Sequence, residues 1–199
     1  MTDRSIKKMS PRTTEQNEMI RQERKVQILE AALHVFAEEG YHSASVSKVA
    51  GKAGVSKGLM YNYFHSKEDV LRALMSELFD HAMSLLKIEE NEVITDARFI
   101  EIVSLSVDVP LREPQRWKLY MSLVFQKDVT EMLMTQMRPR MEPFMKSLST
   151  YFMSKDYDDP IAMMRYFSAI LDGVQMHCLL DPENFPAEKA KAYLIKQFV

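Results

Sequence analysis

The sequence predicts an all-α fold: an N-terminal three-helix helix-turn-helix unit joined to a larger all-helical domain. Three observations predict it. Only 5 of 199 residues are Gly, and four of those five fall between Gly40 and Gly58, so tight turns are scarce outside one short segment. Apolar residues recur at spacings of three and four along most of the chain, and no alternation of useful strand length appears. Finally, Pro114, Pro139, Pro160 and Pro186 stand at or near the starts of periodic segments, where a missing N–H costs no hydrogen bond.

Residues 1–19 mix Lys, Arg, Ser and Thr with little apolar periodicity and read as a flexible arm. From Ile20 a helical stripe begins, carried by Val26, Leu29, Leu33 and Phe36, and it stops at Gly40, a residue suited to the left-handed conformation after a helix. Ser45 is placed to cap a short helix through Ala53. Gly54-Val55-Ser56 turns the chain, and Ser56 caps a second short helix through Phe64. Ser66-Lys67-Glu68-Asp69 has the form of a capping box with two carboxylates in the first turn, where the helix dipole favours them. It opens a long helix bearing Val70, Leu71, Leu74, Leu78, Ala82 and Leu85. Further helices are expected near 96–109, 114–128, 130–137, 139–155, 160–180 and 186–199, giving domains over 20–66 and 67–199.

Composition excludes several function classes. The longest stretch without Asp, Glu, Lys or Arg runs from Gly58 to Ser66, far short of the roughly 17–25 apolar residues of a membrane span. The single Cys178 rules out an internal disulfide and suits a reducing compartment, so a cytoplasmic protein is expected. Met176-His177-Cys178 gathers soft ligands, but neighbours on a helix point about 100° apart and cannot share one ion unaided. His34, His42, His65 and His81 have no zinc spacing, and no nucleophile elbow, phosphate loop or dinucleotide fingerprint occurs. Neither a metal, a cofactor nor an enzyme activity is expected.

The net charge of −2 hides a division. Residues 1–67 hold 11 Lys and Arg against 7 Asp and Glu; residues 68–199 hold 15 against 21. A basic N-terminal third thus precedes an acidic remainder, and its meaning depends on whether a nucleic-acid geometry occupies the same third.

Ser45–Phe64 supplies one. Small Ala50 and Ala53 let two short helices approach, Gly54 turns between them, and Val46, Val49, Val55, Met60 and Phe64 can form their shared core. Ser47, Lys48, Lys52, Lys57, Tyr61, Asn62 and Tyr63 remain outside as donors for phosphates and base edges. Gly58 lies near the N-terminal end of the second helix, the end that enters a major groove, and holds no side chain between backbone and bases.

The stretch EAALHVFAEEGYHSASVSKVAGKAGVSKGLMYNYFHSKEDVLRAL resembles the TetR family of transcriptional regulators, over about Arg24–Leu74. The resemblance implies a homodimer that binds a palindromic double-stranded DNA operator, as a repressor responsive to a small effector. It implies base-facing positions for Lys57, Gly58, Leu59 and Asn62, and mostly phosphate-facing ones for Ser45, Ser47, Lys48, Tyr61, Tyr63 and Lys67. Many relatives carry a hydroxyl where Leu59 stands, so Leu59 is matched to a thymine methyl instead. The rival is a protein-interaction or ligand-binding adaptor that keeps the fold without reading DNA; it would be marked by missing donors at these positions.

Twelve of the 16 Met follow residue 67. Trp117, Tyr120, Met121, Phe125, Met137, Met141 and Phe144 are candidates to line a pocket for an apolar or amphipathic effector, although the same stripe would also serve as ordinary core. Arg98, Glu101 and Arg116 are candidates for orienting its polar end, or for plain surface roles. The resemblance assigns the last two helices to the dimer interface, with Ile161, Met164, Phe167, Ile170, Leu171, Val174 and Leu194 as apolar candidates; closing the internal core is the alternative use.

Overall fold

The computed structural model describes residues 13–89 and 92–199, and those residues form ten helices and no strand. Most of the expected arm, residues 1–12, lies outside the described residues, but its end is helical. Helix α1 (Thr14–Glu39) starts six residues before Ile20 because Thr13 and Gln16 form a capping box: the Gln16 amide donates to Thr13 Oγ1 at 3.2 Å, and the Thr13 amide to Gln16 Oε1 at 3.1 Å. Those opening turns are exposed all round, so no apolar stripe announces them.

The N-terminal unit continues with α2 (Val46–Lys52) and α3 (Lys57–Tyr61), capped by Ser45 and Ser56, and then α4 (Lys67–Leu85), capped by Ser66. Asp69 accepts from the His65 amide at 3.1 Å, so the Ser66 box closes one residue earlier than the usual pattern. The rest comprises α5 (Asp96–Arg112), α6 (Pro114–Val124), α7 (Lys127–Gln136), α8 (Arg138–Met153), α9 (Pro160–Leu180) and α10 (Ala187–Phe198).

Pro110 lies inside α5, which therefore runs three residues beyond the expected end at 109. Proline has no N–H to give the Ser106 carbonyl four residues back. Gln175 of α9 fills the gap, donating from Nε2 to that carbonyl at 2.8 Å. A buried carbonyl so satisfied lets the helix pass through a proline.

Two apolar cores result. One joins α1–α4 with Tyr120, Leu123 and Val129 of α6 and α7; the other is aromatic, with Phe99, Phe152, Phe167 and Phe198 meeting between α5, α8, α9 and α10. The first core crosses residue 66, because Val70, Leu71, Leu74 and Met75 of α4 are buried against α1 and its neighbours. Head and body thus share α4 and α6 as common walls.

Candidate functional site

Local chemistry fixes the α2–α3 unit. Ser45 Oγ accepts from the Lys48 amide at 3.3 Å and Ser56 Oγ from the Leu59 amide at 3.0 Å, each satisfying a free donor at a helix start. Gly54 adopts φ +65° in the turn, a conformation that strains residues with a Cβ. Val49, Ala50, Ala53, Met60 and Phe64 are buried with Val46 and Val55 packed against them, the expected core. Gln27 of α1 ties the end of α2 in place, donating to the Ala53 carbonyl at 2.9 Å.

With that face inward, Ser45, Ser47, Lys48, Lys57, Gly58, Tyr61 and Asn62 are exposed, and Leu59, Tyr63 and Lys67 are half-buried. A Cβ built on Gly58 meets nothing within 4 Å, so packing among the described residues makes no demand for glycine there. Lys57, Tyr61 and Asn62 have no side-chain hydrogen bond among the described residues, whereas Lys48 is ion-paired with Glu39 and Lys52 with Glu38 at 3.4 Å. Arg21 lies 5.9 Å from the Tyr63 ring centroid and adds a cation beside this face that the sequence pattern did not mark.

Lys67 has a different occupation from the phosphate contact expected of it. Its ammonium donates to the carbonyls of Tyr41, His42 and Ala44 at 2.9, 3.0 and 3.1 Å and sits 4.6 Å from the Tyr41 ring centroid. All three of its donors are thereby used to hold the loop between α1 and α2. Gln126, at the α6–α7 joint, grips the same loop: its Oε1 accepts from the Tyr41 amide at 2.6 Å while its Nε2 donates to the Phe36 carbonyl at 3.1 Å. Burial pushes the Tyr41 phenol up to about 12, so it stays neutral in this setting.

A cavity of about 910 Å³ opens between α4, α6, α7 and α8. Trp117, Tyr120, Met121, Met137 and Met141 line it as expected, joined by Met75, Leu78, Phe79, Leu133, Met134 and Met145. Phe125 and Phe144 do not. Phe125 is 69% exposed and faces a smaller cleft with Pro110, Met176 and Leu179; Phe144 packs against the aromatic core. Arg116 stands behind the wall, donating to the Tyr120 hydroxyl and facing Glu30 and Glu77 at 3.5 and 3.4 Å. Arg98 and Glu101 are remote from the cavity lining: Arg98 staples the loop before α5, bonding Glu92, Glu101 and the carbonyls of Leu86 and Lys87.

Among the seven apolar candidates for a dimer interface, Met164, Phe167 and Leu194 are buried in the aromatic core, and Ile170, Leu171 and Val174 pack against it. Ile161 alone is exposed. The outward side of α9 and α10 instead carries Ala162, Tyr166, Ala169, Met176, Leu180 and Tyr193. Cys178 is buried and His177 stacks on Phe185 with ring centroids 5.4 Å apart. Among the described residues no group of three His, Cys, Asp or Glu could hold a metal, and no helix is long and apolar enough to cross a membrane.

Comparisons with known proteins match the segment that holds α2 and α3. A family model for bacterial regulatory proteins, tetR family, matches residues 28–74. The fatty acid metabolism regulator protein of Bacillus subtilis is 52% identical over 52 residues, which are 26% of this chain and about a quarter (27%) of that protein. The HTH-type transcriptional regulator BetI of Vibrio vulnificus is 29% identical over 189 residues, covering 87% of this chain and 92% of that one. The structure of the fatty acid degradation regulator FadR from Bacillus halodurans superposes with a TM-score of 0.64, covering 88% of this chain and 94% of that one. At 24% identity that likeness is one of fold.

Proposed function

Because this chain belongs to the tetR family of bacterial regulatory proteins, DNA-binding regulators of transcription, we propose that it is a cytoplasmic homodimeric repressor released from a palindromic operator by a small effector. The observation that carries the DNA-reading part is the coincidence, on one short capped unit, of Lys57, Tyr61 and Asn62, unbonded among the described residues, with a Gly58 that none of those residues crowds. Lys57, Gly58, Leu59 and Asn62 face the bases; Ser45, Ser47, Lys48, Tyr61, Tyr63 and the newly recognised Arg21 face phosphates. One five-residue helix spans too few base pairs for specificity, so two copies bind half-sites about one helical turn apart.

The outward apolar side of α9 and α10 is the surface for the second copy, since a helix apolar on both sides is stable in water only when both are covered. The effector is an apolar or amphipathic compound held in the Met-lined cavity, whose thioether walls adapt to shape. It acts by favouring a spacing of the two heads that no longer fits the operator.

Selection of bound fragments from genomic DNA, by wild type and Lys57→Ala, tests this. Wild type enriches a discrete set with two-fold symmetric sites. Lys57→Ala keeps its helicity and melting temperature but loses that enrichment. Equal affinity of the wild type for selected and scrambled fragments would overturn DNA reading.

A further inference from the structure

We infer that Gln126 is the positioning residue through which occupancy of the cavity reaches the DNA-reading head, an inference that rests on the effector cavity proposed above. The amide of Gln126 uses both ends across a long sequence gap. Its oxygen holds the Tyr41 amide at 2.6 Å, 85 residues away, and its nitrogen holds the Phe36 carbonyl at 3.1 Å, 90 residues away. Phe36 lies in the last turn of α1 and Tyr41 begins the loop that leads into α2, so this one side chain fixes the exit of α1.

The other side of the joint is the cavity wall. Trp117, Tyr120, Met121 and Val124 of α6 line the cavity, as do Leu133 and Met134 of α7, and Gln126 stands between the two helices. The joint is stiff. Thr130 Oγ1 lies 2.6 Å from the Val124 carbonyl and 3.1 Å from that of Gln126, and the Thr130 amide donates to the Gln126 carbonyl at 2.9 Å. A rearrangement of α6 and α7 around an occupant is therefore carried to Gln126 rather than absorbed beside it. Hydrogen bonds tolerate little displacement, so a shift of the joint releases Tyr41 or drags it along. Lys67 clamps the same loop from α4, which also walls the cavity through Met75, Leu78, Phe79 and Ala82. The loop is thus held between two cavity-lining elements, and Gln126 is its link to the Met-rich side.

The test uses the full-length chain, with 1-anilinonaphthalene-8-sulfonate as cavity probe and Trp117, the one Trp of the sequence, as energy donor. Binding is read on a DNA fragment enriched by the wild type, and loop order by hydrogen exchange at the Tyr41 amide. In the wild type, saturating probe weakens DNA binding at least tenfold and speeds Tyr41 exchange by a similar factor. Gln126→Met keeps the side-chain length but neither hydrogen bond. It binds probe within twofold of wild type, exchanges Tyr41 fast with or without probe, binds free DNA about as weakly as probe-saturated wild type, and loses less than a further twofold when probe is added. Gln126→Glu keeps the acceptor for Tyr41 but loses the donor to Phe36, and restores protection and response in part. Release of DNA by probe in Gln126→Met as in wild type, or a protected Tyr41 amide in that variant, overturns the inference alone. So does a wild type whose DNA affinity ignores bound probe. Absence of energy transfer from Trp117 brings down the effector cavity first and the relay with it.

Discussion

Replacing Lys67 by Met separates two accounts of a residue that the family resemblance assigns to phosphate. In the structure its ammonium makes three hydrogen bonds to backbone carbonyls, and those to Tyr41 and Ala44 are partly buried while that to His42 is exposed. Hydrogen bonds from a charged donor are worth roughly 1.5–3 kcal/mol when desolvated, and about 1 kcal/mol is a fair share for each half-buried one here. The His42 carbonyl regains water and contributes little. Loss of the contact with the Tyr41 ring adds about 0.5–1 kcal/mol, so Lys67→Met destabilises by roughly 3 kcal/mol. For a chain of this size that lowers the melting midpoint by about 6–12 °C. DNA affinity falls too, because the loop feeding α2 loses its support. Its salt dependence does not change: a lysine that displaces one counterion from a phosphate contributes roughly 0.9 to the logarithmic slope, and Lys67 has no donor left to make that contact. The assay is thermal melting beside fluorescence anisotropy titrations at several salt concentrations. An unchanged midpoint together with a slope shallower by about one unit refutes the clamp and restores the phosphate contact.

Three further outcomes are expected. Gln175→Leu leaves the Ser106 carbonyl buried without a partner and destabilises by about 1–3 kcal/mol; adding Pro110→Ala supplies the missing N–H and recovers most of the loss, as a double-mutant cycle in urea would show. Asp96 is held below its ordinary 3.8 by hydrogen bonds from Lys155 and Tyr151, so its contribution is present above that value and is lost as pH falls through its lower folded-state value. Asp96→Asn is accordingly less stable than wild type at pH 7, and the gap in melting temperature narrows towards pH 3; a gap independent of pH would refute the linkage. Ala169→Glu puts a charge on the outward side of α9 and should yield a folded monomer by sedimentation, with DNA affinity reduced at least tenfold; a dimer of unchanged stability would move the interface elsewhere.

The parts of the site that were legible in the sequence are those set by neighbours along the chain. Ser45, Ser56 and Ser66 cap their helices because a hydroxyl needs only the amide three residues on. The α2–α3 core follows from small and apolar residues in one register, and its exposed donors follow by subtraction. Thr13 and Gln16 carry a capping signal too, but the opening turns of α1 have no apolar stripe to mark a helix behind it. Contacts made across the chain were not legible. The resemblance implies a phosphate contact for Lys67, yet in the structure its partners lie 23 to 26 residues earlier and are carbonyls, which no side-chain pattern announces. Gln126 was invisible for the same reason. Of the seven cavity candidates, the five on the inner sides of α6 to α8 were found, because Met and aromatics at helical spacing mark a stripe; Phe125 lies just past α6, where the chain turns and the spacing no longer fixes a direction.

Six of the seven dimer candidates pack inward, for a different reason. Helix α9 is 21 residues long with only Arg165 and Asp172 as charges beside His177, so apolar side chains run along both its sides. Periodicity can find a stripe but cannot choose between two. The choice is made by what α9 meets: Phe99, Phe152 and Phe198 already surround Phe167, and this aromatic cluster draws in Met164 and, behind it, Ile170, Leu171 and Val174. The outward side is left with small Ala162, Ala169 and Gly173 set between larger Tyr166, Met176 and Leu180. A Cβ on Gly173 would meet nothing within 4 Å, so the space beside it is open in a single chain. Large residues flanking small ones on one helix are self-complementary about a two-fold axis, where each bulky side chain meets the partner helix at a small one. Glutamate at Ala169 therefore tests the side that the aromatic core left over, whereas substitution of Met164 or Phe167 would test only the fold.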